Sequence, residues 1–135
     1  MTTRVKLFNK LIVADEEAMA AYYCAVFDLK VAHREAGNSA GAGEQFREVI
    51  LSSGETMEDG TLTVFKYVNR NPPRDQQAVL GFVVEDLDAV CSRIKEHGGK
   101  LVGTVREYPE FAIRVQFAED PEGAINELVE MVQAG

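Results

Sequence analysis

The 135-residue chain runs through one order of patterns twice. RVKLFNKLIVA, residues 4–14, alternates like a strand, and Asp15 then opens a stretch in which Met19, Tyr22, Tyr23, Val26 and Phe27 recur at helical spacing. An aspartate there can accept the free N–H groups of a first helical turn, and Glu16 and Glu17 suit the positive end of the helix dipole. Strand patterns follow at 29–36, 45–53 and 61–69, separated by GNSAGAG and ETMEDG. After the polar NRNPPRDQQ the order restarts. Ala78 to Val84 reads as a strand. Asp86 caps a helix that passes through Val90, Ile94 and Lys95 and stops at His97, Gly98 and Gly99. Strands are predicted at 100–106, 111–118 and 124–132.

The anchors of the two runs can be compared directly. Asp15 and Asp86 lie 71 residues apart, whereas the turn glycines Gly60 and Gly123 lie 63 apart, so the halves match as units with loops of different length. The reading is an α+β domain over residues 1–135, made of two βαβββ repeats at 4–69 and 76–132 joined by a linker at 70–75, where Pro72 and Pro73 lack backbone donors. Each repeat makes a four-stranded sheet with its helix on one face. Pairing the two mixed sheets leaves room for a cavity on the side away from the helices.

Composition bounds the partners. With 46% hydrophobic residues a chain of this length can bury about 65–70% of its unfolded surface without disulfides. Cys24 and Cys91 have no metal-ligand spacing and read as reduced, core-packed thiols of a cytoplasmic protein. No apolar run reaches the roughly 18 residues of a membrane span. A net charge of −8 without a basic cluster argues against nucleic acid and anionic membrane as partners.

AVLGFVVEDLDAVCSRIKEHGGKL followed by VQFAEDPEGAINELVE, together with KLIVADEEAMAAYYCAVFDLKV in the first half, resembles the glyoxalase, bleomycin-resistance and extradiol-dioxygenase (vicinal oxygen chelate) superfamily. The resemblance covers nearly the whole chain, and the DPEG turn with the glutamate after it is its most specific part. It implies paired βαβββ units around a cupped sheet. In members that do metal chemistry it also implies a divalent ion held by the first and last strand of each unit. The first-strand position, seven residues before the capping aspartate, is Phe8 in one half and Val79 in the other. The last-strand position, four residues after the turn glycine, is Val64 and Glu127. Only Glu127 retains a ligand type, and one carboxylate cannot set the geometry of a transition-metal site. No metal or other cofactor is therefore expected, with a divalent ion kept as the alternative.

Alternation then nominates other groups for the cup. Phe8 brings Lys6 and Lys10 to its side, Val64 brings Lys66, and Val79 brings Gln77. If Phe111, Ile113, Val115 and Phe117 pack under a helix, Arg114 and Gln116 turn toward the cup with Glu127. The candidate ligand-binding set is thus Phe8, Lys10, Val64, Lys66, Gln77, Val79, Arg114, Gln116 and Glu127, with Glu127 the candidate catalytic group. A carboxylate in such a setting either pairs with Lys10 or Lys66 or meets a ligand, and both readings stay open. His97 reads as a helix C-cap and His33 as a strand-surface residue, with a general base as its minor option. Phe65, Tyr67 and Tyr108 read as core or rim aromatics, and GNSAGAG as a mobile loop over the cup.

The resulting expectation is metal-independent binding of a small organic molecule, with an anion in view because three cations meet one surface. The alternative is a metal-assisted lyase, isomerase or dioxygenase of the same superfamily, the lyase resembling glyoxalase I. A third option is a non-catalytic subunit whose cup its own side chains fill. Resemblance to the group also implies a homodimer.

Overall fold

The structure, a computed structural model, describes residues 7–56, 58–59, 61–73 and 75–132. Residues 4–6 of the first predicted strand, including Lys6, and the turn glycine Gly60 lie outside the described residues, as do Met57 of ETMEDG and Arg74 of the linker. The order is β1 (Asn9–Ile12), α1 (Glu16–Phe27), β2 (Lys30–Ala40), β3 (Glu44–Ser52), β4 (Thr61–Tyr67), β5 (Leu80–Val84), α2 (Leu87–Glu96), β6 (Lys100–Tyr108), β7 (Ile113–Glu119) and β8 (Ile125–Met131). Two four-stranded mixed sheets result, ordered β1-β4-β3-β2 and β5-β8-β7-β6. The fold is the α+β pair of βαβββ repeats that the sequence predicts, and the sheet order is the same in both. The chain divides into two compact units, residues 1–24 with 28–72 and residues 25–27 with 73–135.

In the first unit β1 runs parallel to β4 with Leu11 opposite Val64, while β4 and β3 are antiparallel with Val49 opposite Val64. That row is fully buried at Val49 and Val64, and Leu51 and Leu62 beside it are buried too. α1 is tied over this face through Glu16 to Arg47 at 3.1 Å and Glu17 to Arg34 at 3.0 Å. The helix starts where Asp15 accepts from the Ala18 N–H at 2.9 Å, the side-chain cap that the sequence predicts.

The second unit repeats the device. Asp86 accepts from the Ala89 N–H at 3.1 Å, and α2 lays Leu87, Val90, Cys91 and Ile94 against its sheet. Glu130 of β8 accepts from the Leu87 N–H at 2.7 Å and so satisfies a further free donor at the helix start. The helix closes as the His97 N–H reaches the Arg93 carbonyl, and Gly98 follows with a φ of 94°, a left-handed conformation that suits glycine. The last turn of α1 groups with this unit, where Phe27 stacks on Phe82 at 3.9 Å between ring centroids. The DPEG turn before β8 is held by Asp120, buried, whose carboxylate accepts from the N–H groups of Glu122 and Ala124.

Three boundary expectations are corrected. GNSAGAG is mostly strand: β2 continues to Ala40, and only 41–43 turn the chain into β3, closed by Gly43 N–H to the Ala40 carbonyl at 2.8 Å. Cross-strand bonds to β3 stabilise a glycine-rich segment that propensity alone assigns to a loop. Strand β7 begins at Ile113, because Pro109–Phe111 form a 3-10 turn ended by Ala112 in the left-handed region at φ 52°. β5 begins at Leu80, so Val79 precedes it.

Candidate functional site

The sheet of the first unit has a second face, opposite α1. Lys10 stands beside Thr63, Ile12 beside Phe65, Glu48 opposite Phe65 and Phe46 opposite Tyr67, so strand alternation sends these side chains the same way. On this face lies a pocket of about 380 Å³ lined by Lys10, Ile12, Ser39, Ala40, Gly41, Phe46, Phe65 and Tyr67. Phe46 and Phe65 lie parallel, with ring centroids 5.3 Å apart and planes 8° apart, and Tyr67 meets Phe65 edge-on at 4.8 Å. Ser39, Ala40 and Gly41 bound it at the far end of β2. Gly37 matters here: a Cβ built on it would stand 3.3 Å from the Phe46 ring.

The charged group of the pocket lining, Lys10, is paired. The Lys10 ammonium donates to Glu48 at 3.0 Å and sits 4.9 Å from the centre of the Phe65 ring. Glu48 is only 8% exposed, so this pairing is what makes a carboxylate tolerable there. Outside Tyr67 the Arg70 guanidinium lies 3.5 Å from the ring centre and is held by both carboxylate oxygens of Glu44, at 2.9 and 3.2 Å.

Of the nine nominated residues, the structure brings Lys10 to this pocket. Phe8, just before β1, is 59% exposed and does not line it. Val64 and Lys66 are corrected to the helix-bearing face. Both faces of β4 are buried, and an apolar pattern cannot distinguish the face under a helix from the face over a pocket. Arg114 and Gln116 are corrected for the same reason. Arg114 binds Glu130 at 3.1 Å and Asp88 of α2 at 3.4 Å, and Gln116 donates to the carbonyls of Val102, Gly103 and Phe117, so both belong to the α2 side. Ile113, Val115 and Phe117 accordingly occupy the face away from α2, and Phe111 lies in the 3-10 turn before them. Glu127, beside Gly81 and opposite Phe117, shares that face with Val83, which is 75% exposed. Gln77 is exposed, and its neighbour Gln76 instead clamps the backbone of Ile125, with bonds of 2.7 and 2.8 Å.

The pairing of Glu127 with a lysine is likewise corrected for Lys10, whose partner is Glu48. His33 lies at the surface beside Glu35 at 3.0 Å, and His97 caps through its backbone. Burial pushes the thiols of Cys24 and Cys91 above their ordinary range, which keeps them protonated; both are free. Ile12 and Phe46 are pocket residues that the sequence reading does not nominate, Phe65 and Tyr67 are read there as core or rim aromatics, and Ser39, Ala40 and Gly41 are read as part of a mobile loop over the cup. The alternation of Thr63, Phe65 and Tyr67 in one strand, next to a run of residues too small to fill space, carried the signal.

Register also refines the family's metal positions. Glu127 stands beside Gly81, five residues before Asp86, and Thr63 stands beside Lys10, five before Asp15. The counterpart of Glu127 is thus Thr63, not Val64. With Phe8, Thr63 and Val79 at the other positions the donor set still offers one carboxylate, which does not fit a divalent transition metal. Among the described residues there is no group of three or more His, Cys, Asp or Glu side chains able to hold a metal ion, and no helix long and apolar enough to cross a membrane.

The profile of the glyoxalase/bleomycin resistance protein/dioxygenase superfamily matches residues 4–128. A glyoxalase family protein from Bacillus cereus superposes with a TM-score of 0.81 at 19% identity, covering 98% of this chain and 97% of that one. Glyoxalase I from Zea mays gives 0.75 at 17% identity over 96% of this chain but 46% of its own, so the chain spans about half the length of that enzyme. A genomically encoded fosfomycin resistance protein from Listeria monocytogenes gives 0.67 at 14% identity over 96% and 94%. At these identities the likeness speaks to the fold. No curated protein matches the chain.

Proposed function

The chain belongs to the glyoxalase/bleomycin resistance protein/dioxygenase superfamily, and from that premise we propose that it binds a small organic molecule in the first-unit pocket without the help of a metal ion. The observation that carries this reading is the pocket itself: about 380 Å³, walled by Phe46, Phe65 and Tyr67, with Lys10 as its charged donor. Those are the features of a small-molecule site, apolar walls with few placed polar groups. Supporting it, the four positions where the family holds a metal carry a single carboxylate, Glu127, so the scaffold is present and the ligand set is not.

The protein works as a homodimer on this reading, which is supported by the maize glyoxalase I chain being about twice as long. The two free thiols support a reducing compartment such as the cytoplasm.

Isothermal titration with Zn²⁺, Ni²⁺, Mn²⁺ and Fe²⁺ tests the proposal. No stoichiometric binding tighter than about micromolar is expected. Tight binding that Glu127→Ala abolishes would instead support the metal-assisted lyase, isomerase or dioxygenase. Turnover of the methylglyoxal–glutathione adduct by metal-supplemented protein would point to the lyase.

A further inference from the structure

We propose, resting on the pocket reading above, that the site selects a neutral planar aromatic molecule bearing a carbonyl-type acceptor, and that Lys10 serves it as a hydrogen-bond donor instead of an anion receptor. Shape gives the first half of the argument. The parallel Phe46 and Phe65 rings, 8° apart in plane, offer one orientation of aromatic surface, and Tyr67 closes it edge-on at 74° to Phe65. The neighbouring stretch of β2 carries almost no side-chain volume. Gly37 has no Cβ to press on Phe46, and Ser39, Ala40 and Gly41 bound the same space. A flat guest fits between large rings and small residues, where a puckered ring would lose parallel contact.

Charge gives the second half. The expectation of an anion counted Lys10, Lys66 and Arg114 as one cluster, and the structure disperses them. Lys66 projects from the helix-bearing face of its sheet, and Arg114 is engaged by Glu130 and Asp88 in the other unit. Lys10, the cation in the pocket lining, carries its own carboxylate, the buried Glu48 at 3.0 Å, and Arg70, stacked on Tyr67, has Glu44 at 2.9 Å. An anionic guest would meet Glu48 as well as Lys10, and a cationic guest would meet Lys10 first. The Lys10 ammonium has three N–H donors, and Glu48 takes one of them. A neutral oxygen acceptor can take another and gain a charge-assisted bond without separating the pair.

The test uses the full chain in EDTA and three probes, with affinities and sites read from NMR chemical-shift perturbation. 2-Acetylnaphthalene is planar and neutral, 2-naphthoate presents the same rings as an anion, and cyclohexyl methyl ketone keeps the acceptor without the plane. The neutral naphthyl ketone should bind at Phe46, Phe65 and Tyr67 about tenfold more tightly than either alternative. Glu48→Gln frees the charge of Lys10, so 2-naphthoate should then gain about tenfold and the preference should narrow or invert. The wild-type comparison stands even if that variant folds poorly. Naphthoate binding the wild-type pocket as tightly as the ketone would overturn the charge selection, as would an unchanged preference in folded Glu48→Gln. Equal binding of the cyclohexyl ketone would overturn the planarity. Shifts elsewhere, or none with any probe, would overturn the pocket reading and this selectivity with it.

Discussion

Lys10 of β1 reaches across β4 to Glu48 of β3, closing a 3.0 Å ion pair over the ring of Phe65, whose centre is 4.9 Å from the ammonium. The two partners differ in exposure: the lysine side chain is 41% accessible and the glutamate 9%. Removing the lysine therefore strands a buried carboxylate, while solvent at the lysine end screens part of the attraction. Lys10→Met should lower the unfolding free energy by about 1–3 kcal/mol. Lys10→Met combined with Glu48→Leu should recover much of that loss, because no charge is then left behind. Urea denaturation of the four proteins in the cycle measures both effects.

The turn that joins β2 to β3 is the next sensitive point. Gly43 has a φ of 113°, a conformation that a Cβ strains, and its N–H closes the turn to Ala40. Gly43→Ala should cost about 1–3 kcal/mol by thermal or urea melting. An equal melting curve would mean that the turn relaxes freely.

Each helix should depend measurably on its capping aspartate. Asp15→Ala and Asp86→Ala each remove an acceptor from a free helical N–H, at 2.9 and 3.1 Å, and should each lower stability by about 1 kcal/mol. Asparagine at either position should restore most of the loss, which chemical denaturation can resolve.

Acid should weaken the first unit through surface carboxylates. The Arg34 guanidinium, hydrogen-bonded to Glu17, holds that carboxyl below its ordinary value of 4.5, and His33 does the same for Glu35. A depressed folded value means that the stabilisation is complete above the unfolded value near 4.5 and is lost as pH falls through the folded one. The urea midpoint should therefore drop below pH about 4.5 more steeply in wild type than in Glu17→Gln. Parallel curves would show that the exposed pair contributes nothing.

The fold was legible because its markers are local. Asp15 and Asp86 cap by their own side chains, Gly98 terminates a helix with a positive φ, and the DPEG turn is organised by Asp120. The site was less legible because it depends on which face of a strand meets the helix. Leu62 and Val64 alternate with Thr63 and Phe65, and all of them are buried, so burial on both faces erased the contrast that alternation needs. Arg114 and Gln116 misled for the opposite reason. They are polar residues under a helix, where one reaches α2 carboxylate Asp88 and the other satisfies backbone carbonyls around the left-handed Gly103. Small residues hid the rest, since GNSAGAG looks like a loop until pairing with β3 makes it the end of a strand.

A metal-free small-molecule pocket in the first unit can be probed by NMR screening of a planar aromatic fragment set against EDTA-treated protein, repeated with Zn²⁺ added back. Shifts at Lys10, Phe46, Phe65 and Tyr67 are expected without metal, and the same shifts with it. Fragment binding that appears only with metal, and centres on Glu127, would contradict this.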